Sequence, residues 1–234
     1  MQAVTEEICG IVAGNLMMKD LAPNECQHFI DHGWLRSVEK DAYFFHQGEE
    51  AEFFYIVIEG QVKLSQITPS GHEVILQIVG PGGGIGIIVA LGEMKYPASA
   101  KAQVDCRAYT WDRETTHQLM LKIPQLAINA LELVSRRFAN LQTRYQELAT
   151  SRVEQRVAIT ILRLARQFGK RVDAGLLIDM SLSRQELAEM TGTNLYNVSR
   201  IMSKWEQDDI VSLGRMSVVI TNAHKLVMIS EGSS

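Results

Sequence analysis

Three periodicities of apolar and polar positions divide the chain. Ile8, Ile11, Val12 and Leu16 recur at helical spacing, so residues 4–32 read as helical with a break at Ala22-Pro23. From Trp34 to about Trp111 the pattern changes to short β-like runs closed by turn residues. Tyr43 to Phe45 precedes Gln47-Gly48, and Glu52 to Glu59 stops at Gly60. Val62 to Thr68 ends in Pro69-Ser70-Gly71, Val74 to Val79 ends in Gly80-Pro81-Gly82-Gly83-Gly84, and Cys106 to Trp111 closes the series. Strands punctuated in this way predict an antiparallel sandwich or barrel.

Beyond Pro124 neither proline nor glycine occurs until Gly169. Ala127, Leu131, Val134, Phe138, Leu141, Tyr145 and Leu148 are spaced alternately four and three residues apart, an a/d seam over three heptads. Such a stripe is buried against a partner, most simply the same helix of a second subunit, although packing on its own domain would also cover it. A second helix is expected from Arg152 to Phe168, stopped by Gly169 in the left-handed conformation. Val172 to Met180 reads as a short strand pair.

The stretch from Ser181 to Trp205 carries the densest local signals. Ser183 with Glu186 three residues on is a capping box. Leu187, Ala188 and Met190 give an apolar face, Thr191-Gly192-Thr193 a tight turn, and Asn194 or Thr193 a cap for the next helix. That helix has Leu195, Val198, Ile201 and Met202 as its apolar face and exposes Tyr196, Asn197, Ser199, Arg200 and Ser203. Two short helices joined by a glycine turn form a helix-turn-helix, whose exposed side chains can bond base edges and phosphates. Ile210 to Ile220 reads as a hairpin placed as a wing. An ordinary helical hairpin in a small α+β domain would show part of the same pattern.

Composition sets outer bounds. The 234 residues suffice for one large domain or two modest ones, and 46% hydrophobic residues are enough for a core. No apolar run approaches a membrane span, and residues 1–18 lack the basic head of a signal peptide, so no membrane partner and a cytoplasmic location are expected. Three scattered cysteines suit a reducing compartment. The net charge of −4 argues against nucleic acid as a partner for the chain taken whole. The charge is uneven, however: between Arg136 and Arg171 nine basic residues face only Glu147 and Glu154. This stripe could meet phosphates or merely solvate a helix. No nucleophile–base pair, metal-ligand spacing or P-loop stands out, so the chain does not read as an enzyme.

The order β-domain, heptad helix, winged helix-turn-helix resembles the CRP/FNR family of transcription regulators from about Leu21 to Lys225. The likeness is carried by Phe45-His46-Gln47-Gly48-Glu49, Tyr55 to Lys63, Gly80-Pro81-Gly82, Leu182 to Ala188 and Val198-Ser199-Arg200. It implies an α+β fold: an N-terminal antiparallel β-roll sensor with N-terminal helices over 1–123, a dimerisation helix over 124–150 and a winged helix-turn-helix over 151–234. It further implies a cytoplasmic homodimer acting as an allosteric activator, on palindromic double-stranded DNA, with RNA polymerase as partner. The DNA-binding residues would be Arg184, Gln185, Asn194, Tyr196, Asn197, Ser199, Arg200 and Lys204. The dimer seam would use Leu131, Val134, Phe138, Leu141, Tyr145 and Leu148. Tyr196 stands where the family's recognition helix commonly has Glu.

The effector is less directly written. The family's cyclic-AMP members hold the cyclic phosphate with an Arg-Ser pair and the ribose with a Glu; here Tyr96-Pro97 and Ile87 occupy those places. A buried phosphate without a cation is strongly disfavoured, which argues against cyclic AMP. Four cysteine ligands for an iron–sulfur cluster are not available. The pocket expected from Gly84, Ile85, Gly86, Ile87, Ile88, Tyr96 and Ser99 is apolar and similar to the nitric-oxide-responsive denitrification regulators, which implies haem. His28, His32, His46, His72, His117 and His224 show no diagnostic spacing, so no metal ligand is assigned. The competing readings are a cyclic-nucleotide-responsive regulator and a non-catalytic dimeric interaction module.

Overall fold

The computed structural model describes residues 6–92 and 94–232. The chain forms two compact units, and the passage between them falls within one helix, between Asn140 and Leu141 (residues 73–75 aside).

The first unit opens with helix α1 (Glu6–Ala13), a 3-10 turn at Leu16–Met18 and helix α2 (Pro23–Asp31). The helical reading of 4–32 is therefore broken earlier than expected. Gly14 is a poor helix former, and Asn15 offers its side-chain oxygen to the Met17 N–H, an alternative to continuing the helix. The Asn15 amide reaches the Gly82 carbonyl at 2.6 Å.

Eight strands follow: β1 (Trp34–Val38), β2 (Tyr43–Phe45), β3 (Phe53–Glu59), β4 (Val62–Ile67), β5 (Glu73–Val79), β6 (Gly84–Ile85), β7 (Ser99–Ala102) and β8 (Cys106–Asp112). They build two four-stranded sheets, in the orders β1-β8-β3-β6 and β2-β7-β4-β5. The pairing is antiparallel, as from Trp34↔Thr110 to Val38↔Cys106. Phe29, Phe54, Tyr55 and Trp111 are fully buried in the core. Trp111 donates its indole N–H to the Phe29 carbonyl at 2.8 Å, satisfying the one polar atom of a large buried ring. Cys106 is buried, as a small core residue would be.

Helix α3 (Arg113–Lys122) is capped by Asp112, which accepts from the Thr115 N–H. It leads into the 27-residue helix α4 (Pro124–Thr150). The first turns of α4 pack on the core by a face beside the seam, whose Ala127 and Leu131 stay exposed. Leu126, Asn129 and Ala130 are buried, and Asn129 donates to the carbonyls of Met17 and Lys19 at 2.9 and 2.7 Å. Gln125 donates to its remaining oxygen, so this buried amide is fully bonded.

The second unit contains α5 (Val153–Phe168), β9 (Gly169–Val172), β10 (Gly175–Ile178), α6 (Arg184–Thr191), α7 (Leu195–Gln207), β11 (Val211–Gly214), β12 (Ser217–Ile220) and α8 (Ala223–Glu231). Its sheet has the order β11-β12-β10-β9. Val157, Ile161 and Leu164 of α5 are buried on one face, and Trp205 of α7 is completely buried. The Trp205 indole donates to Glu154 at 3.0 Å.

Gly169 does not stop α5 as a left-handed cap. Its φ of −72° and ψ of 127° are extended, and it begins β9, so the strand pair starts three residues earlier than the sequence suggests. Glycine is required here for space: a Cβ would lie 2.1 Å from the Ala165 carbonyl oxygen. Gly169→Ala is expected to destabilise the protein by about 1–3 kcal/mol or more, the usual range for overpacking, measured by chemical denaturation. An unchanged midpoint would show that the chain end of α5 yields without strain.

Candidate nucleic-acid interface and effector cassette

Helix α6 is fixed at both ends. Ser183 accepts from the Glu186 N–H at 3.1 Å while Glu186 accepts from the Ser183 N–H at 2.9 Å, the reciprocal capping box expected from the sequence. Gly192 ends the helix with a φ of 61°. The carbonyls of Thr191 and Ser151 are then both held by Arg156, at 2.9 Å each.

Helix α7 is capped by Asn194, which accepts from the Asn197 N–H at 2.9 Å. Of the two capping candidates Asn194 takes the role, and Thr193 instead accepts from the Asn197 amide at 3.1 Å. Val198, Ile201, Met202 and Trp205 form the buried face. Leu195 does not belong to that face as expected; it is 47% exposed, because the first turn of α7 projects beyond the packed part of the unit. Tyr196 is 73% exposed and Arg200 is exposed one turn later. Ser199 is half-buried between them.

Arg184 and Gln185 are exposed in the opening turn of α6, where free backbone N–H groups favour anions. Gln185 is partly engaged, donating to Glu189 at 2.8 Å. Lys204 lies at the far end of α7, 4.0 Å from Glu154. The hairpin β11–β12 turns at Arg215-Met216, with Met216 left-handed at a φ of 59°. Its carbonyl accepts from the Leu182 N–H at 3.0 Å, which ties the wing to the segment entering α6. A groove of about 400 Å³ between these parts is lined by Arg184, Gln185, Leu195, Met202, Leu213 and Met216.

Part of the basic stripe between Arg136 and Arg171 is occupied within the chain. Arg136 pairs with Glu132, Arg156 holds the end of α6, and Arg163 forms a two-pronged pair with Glu147 at 2.7 and 2.8 Å. Arg137 is half-buried and donates to the Gly84 carbonyl. Burial lowers its guanidinium below the ordinary arginine value.

That contact brings α4 to the glycine cassette. Gly84, Ile85, Gly86 and Ile87 are buried, Ile88 is half-buried, and Gly86 has a φ of 76°. Tyr96 is buried, its ring stacked on Phe45 with centroids 3.7 Å apart. Its hydroxyl accepts from the Phe53 N–H at 2.9 Å and donates to the Phe53 carbonyl at 2.8 Å. Burial raises its pKa, so it remains a neutral phenol. Ser99 is likewise engaged, accepting from the Gln47 N–H at 2.9 Å. Tyr96 thus fills, as a packed and bonded ring, the place where a phosphate-binding arginine was sought. Arg137, which sequence reasoning missed as a cassette residue, is the cation that reaches it.

Among the described residues the cassette holds no buried histidine that could serve as a haem ligand. None of the six histidines is buried, His46 lies against the Tyr43 ring, and no group of three or more metal-binding side chains occurs among the described residues.

The seam face of α4 is uncovered along most of its length. Val134 still packs on the core at half burial, but Leu131, Phe138, Leu141, Tyr145 and Leu148 are 51–75% exposed. Large apolar side chains repeating on one line of a helix are the surface a second helix covers.

A β-roll, a long helix with an uncovered apolar stripe and a winged helix-turn-helix define an effector-responsive DNA-binding regulator. Residues 35–122 match the family model for a cyclic nucleotide-binding domain, and residues 155–229 that for a Crp-like helix-turn-helix domain. The chain is 29% identical to the cyclic AMP receptor protein of Thermus thermophilus, over 94% of this chain and 98% of that one. It is 26% identical to the CRP-like cAMP-activated global transcriptional regulator of Mycobacterium tuberculosis, over 78% and 81% of the two chains. The structure of FixK2 from Bradyrhizobium japonicum superposes with a TM-score of 0.75 at 21% identity, covering 84% of this chain and 96% of that one, a likeness of fold. The chain belongs to the CRP/FNR family of transcription regulators, which bind DNA, act as dimers and are not enzymes. No helix among the described residues is long and apolar enough to cross a membrane.

Arg184→Ala should weaken binding to all DNA sequences alike and flatten the dependence of log K on log salt by about one unit. Fluorescence anisotropy across a salt series measures both. A loss confined to one sequence would assign Arg184 to base reading instead.

Proposed function

We propose that this chain is a cytoplasmic, homodimeric regulator that binds a palindromic DNA site and answers to a small effector at the Gly84–Ile87 cassette. The observation that carries the reading is α7, which presents Tyr196, Ser199 and Arg200 from a helix capped by Asn194 and anchored by Trp205. In this reading residues 1–123 are the sensor, 124–150 the dimerisation helix and 151–234 the DNA-binding domain. Arg184 and Gln185 hold phosphates, and Asn194, Asn197 and Lys204 flank the reading face. Arg200 reads a guanine, and Tyr196 cannot present the carboxylate that would accept from a cytosine amino group. Bound DNA then recruits RNA polymerase.

The exposed line of Leu131, Phe138, Leu141, Tyr145 and Leu148, with Val134 at its edge, supports dimerisation through α4. Leu141→Glu would place an unpaired charge in the partner's hole and is expected to give a monomer that has lost specific DNA binding, read by sedimentation and gel shift. A stable DNA-competent dimer would remove the seam from this role.

Two effector readings are separable. Haem responding to nitric oxide is supported by the likeness of the pocket sequence, with no ligand assigned. An anion, the chemical class of cyclic nucleotides, is supported by the half-buried guanidinium of Arg137 at Gly84. Protein supplied with ferrous haem should show a Soret shift on adding nitric oxide under the first reading. Under the second, cyclic AMP should raise the melting temperature by a few degrees, and Arg137→Ala should abolish the rise. Absence of the Soret shift eliminates haem, and absence of the thermal shift eliminates cyclic AMP.

A further inference from the structure

His28 lies in the last turn of α2, and His32 is the C-cap of that helix, its backbone still right-handed. Residues four apart on a helix are neighbours on one face, so α2 turns an unremarkable spacing into a pair. The two rings meet edge to face with centroids 4.4 Å apart. His32 is exposed and His28 half-buried, so ions in solution reach both.

The His32 ring is already oriented. Its Nδ1–H donates to the His28 carbonyl at 2.7 Å. A carbonyl only accepts, so Nδ1 carries the proton and, in the neutral ring, Nε2 keeps its lone pair. An imidazole held by one nitrogen on a backbone carbonyl, with the other nitrogen free, is how metal-ligating histidines are set. The His28 ring makes no hydrogen bond among the described residues.

Spacing and charge favour a cation at the pair. With imidazole–metal bonds of about 2.1 Å, two rings in adjacent positions on one ion have centres about 4.5 Å apart. The C-terminal end of a helix favours positive charge, and α2 contains Glu25 and Asp31 but no lysine or arginine. Imidazole suits nickel, copper and zinc, whereas magnesium and calcium take oxygen ligands.

We propose that His28 and His32 bind one divalent transition-metal ion, with water completing its coordination. The ion bridges the last turn of α2. In that turn the Phe29 and Ile30 carbonyls accept from the Trp111 indole and the Tyr109 hydroxyl, at 2.8 and 3.1 Å. Bound metal therefore stiffens the seat of the sensor core, through residues shared with neither the glycine cassette nor α7.

The test uses the full chain without an affinity tag, stripped by a chelator and titrated with nickel(II) in a calorimeter. One ion per chain should bind. His28→Ala and His32→Ala should each weaken binding at least about tenfold, since loss of even an outer-shell partner changes metal affinity by about 10–100-fold. His28→Gln, which keeps a polar side chain and loses the imidazole, should behave as His28→Ala, and His117→Ala as the wild type. Saturating nickel should raise the melting temperature of the wild type but not of His28→Gln. Nickel binding absent from the wild type, unchanged in the variants of the pair, or displaced by excess magnesium would each overturn the proposal, as would a melting temperature that nickel leaves unchanged.

Discussion

The hydrogen bond from Arg137 to the Gly84 carbonyl is the constraint on which the sensor unit turns. Arg137 is half-buried, and its guanidinium is drawn out of water far enough to need a hydrogen-bond partner there. The bond therefore fixes the cassette to α4 one residue before Phe138, which lies on the exposed seam. Two further ties act on the same helix. Asn129 holds the carbonyls of Met17 and Lys19, and the salt bridge from Lys19 to Glu132 lies one turn on. Asn15, in the same N-terminal segment, bonds Gly82 at the start of the cassette. Cassette, N-terminal segment and seam helix thus form one closed set of contacts, the arrangement by which an effector at the glycines would act on the seam.

The second unit follows a similar economy of buried polar groups. Glu154 at the start of α5 accepts from Trp205, and Arg156 one half-turn on holds the last carbonyl of α6. Both α6 and α7 are thereby oriented from a single turn of α5. What remains outward on α7 is a mixed face: the cation Arg200, the phenol Tyr196 and the aliphatic Leu195 at the tip.

Much of this was legible in the residues. Ser183 and Glu186 mark the start of α6, Gly192 its end and Asn194 the next cap, because these signals act within a few residues of one another. The glycine-bounded strands were legible for the same reason. Strand β7 was not: Ser99-Ala-Lys-Ala102 has no β-branched residue and is a strand because β2 and β4 pair with it on both sides. Helices α3 and α8 show weak apolar periodicity and are marked locally by their caps Asp112 and Asn222. Gly169 carried a true signal with the wrong cause, close approach rather than handedness. Arg137 could not be told from its neighbour Arg136 by sequence, since one faces Glu132 at the surface and the other reaches Gly84 only once α4 is seated. Leu195 fell in phase with the buried face, and only the projection of the first turn of α7 exposes it.

On the proposed reading the uncovered seam on α4 pairs two chains so that two copies of α7 read one palindrome, about one helical turn apart. Stoichiometry tests it most directly. Sedimentation of the full chain with a duplex carrying one copy of its selected site should give two chains per duplex at saturation, with no stable intermediate of one. Saturation at a single chain per duplex would contradict the account.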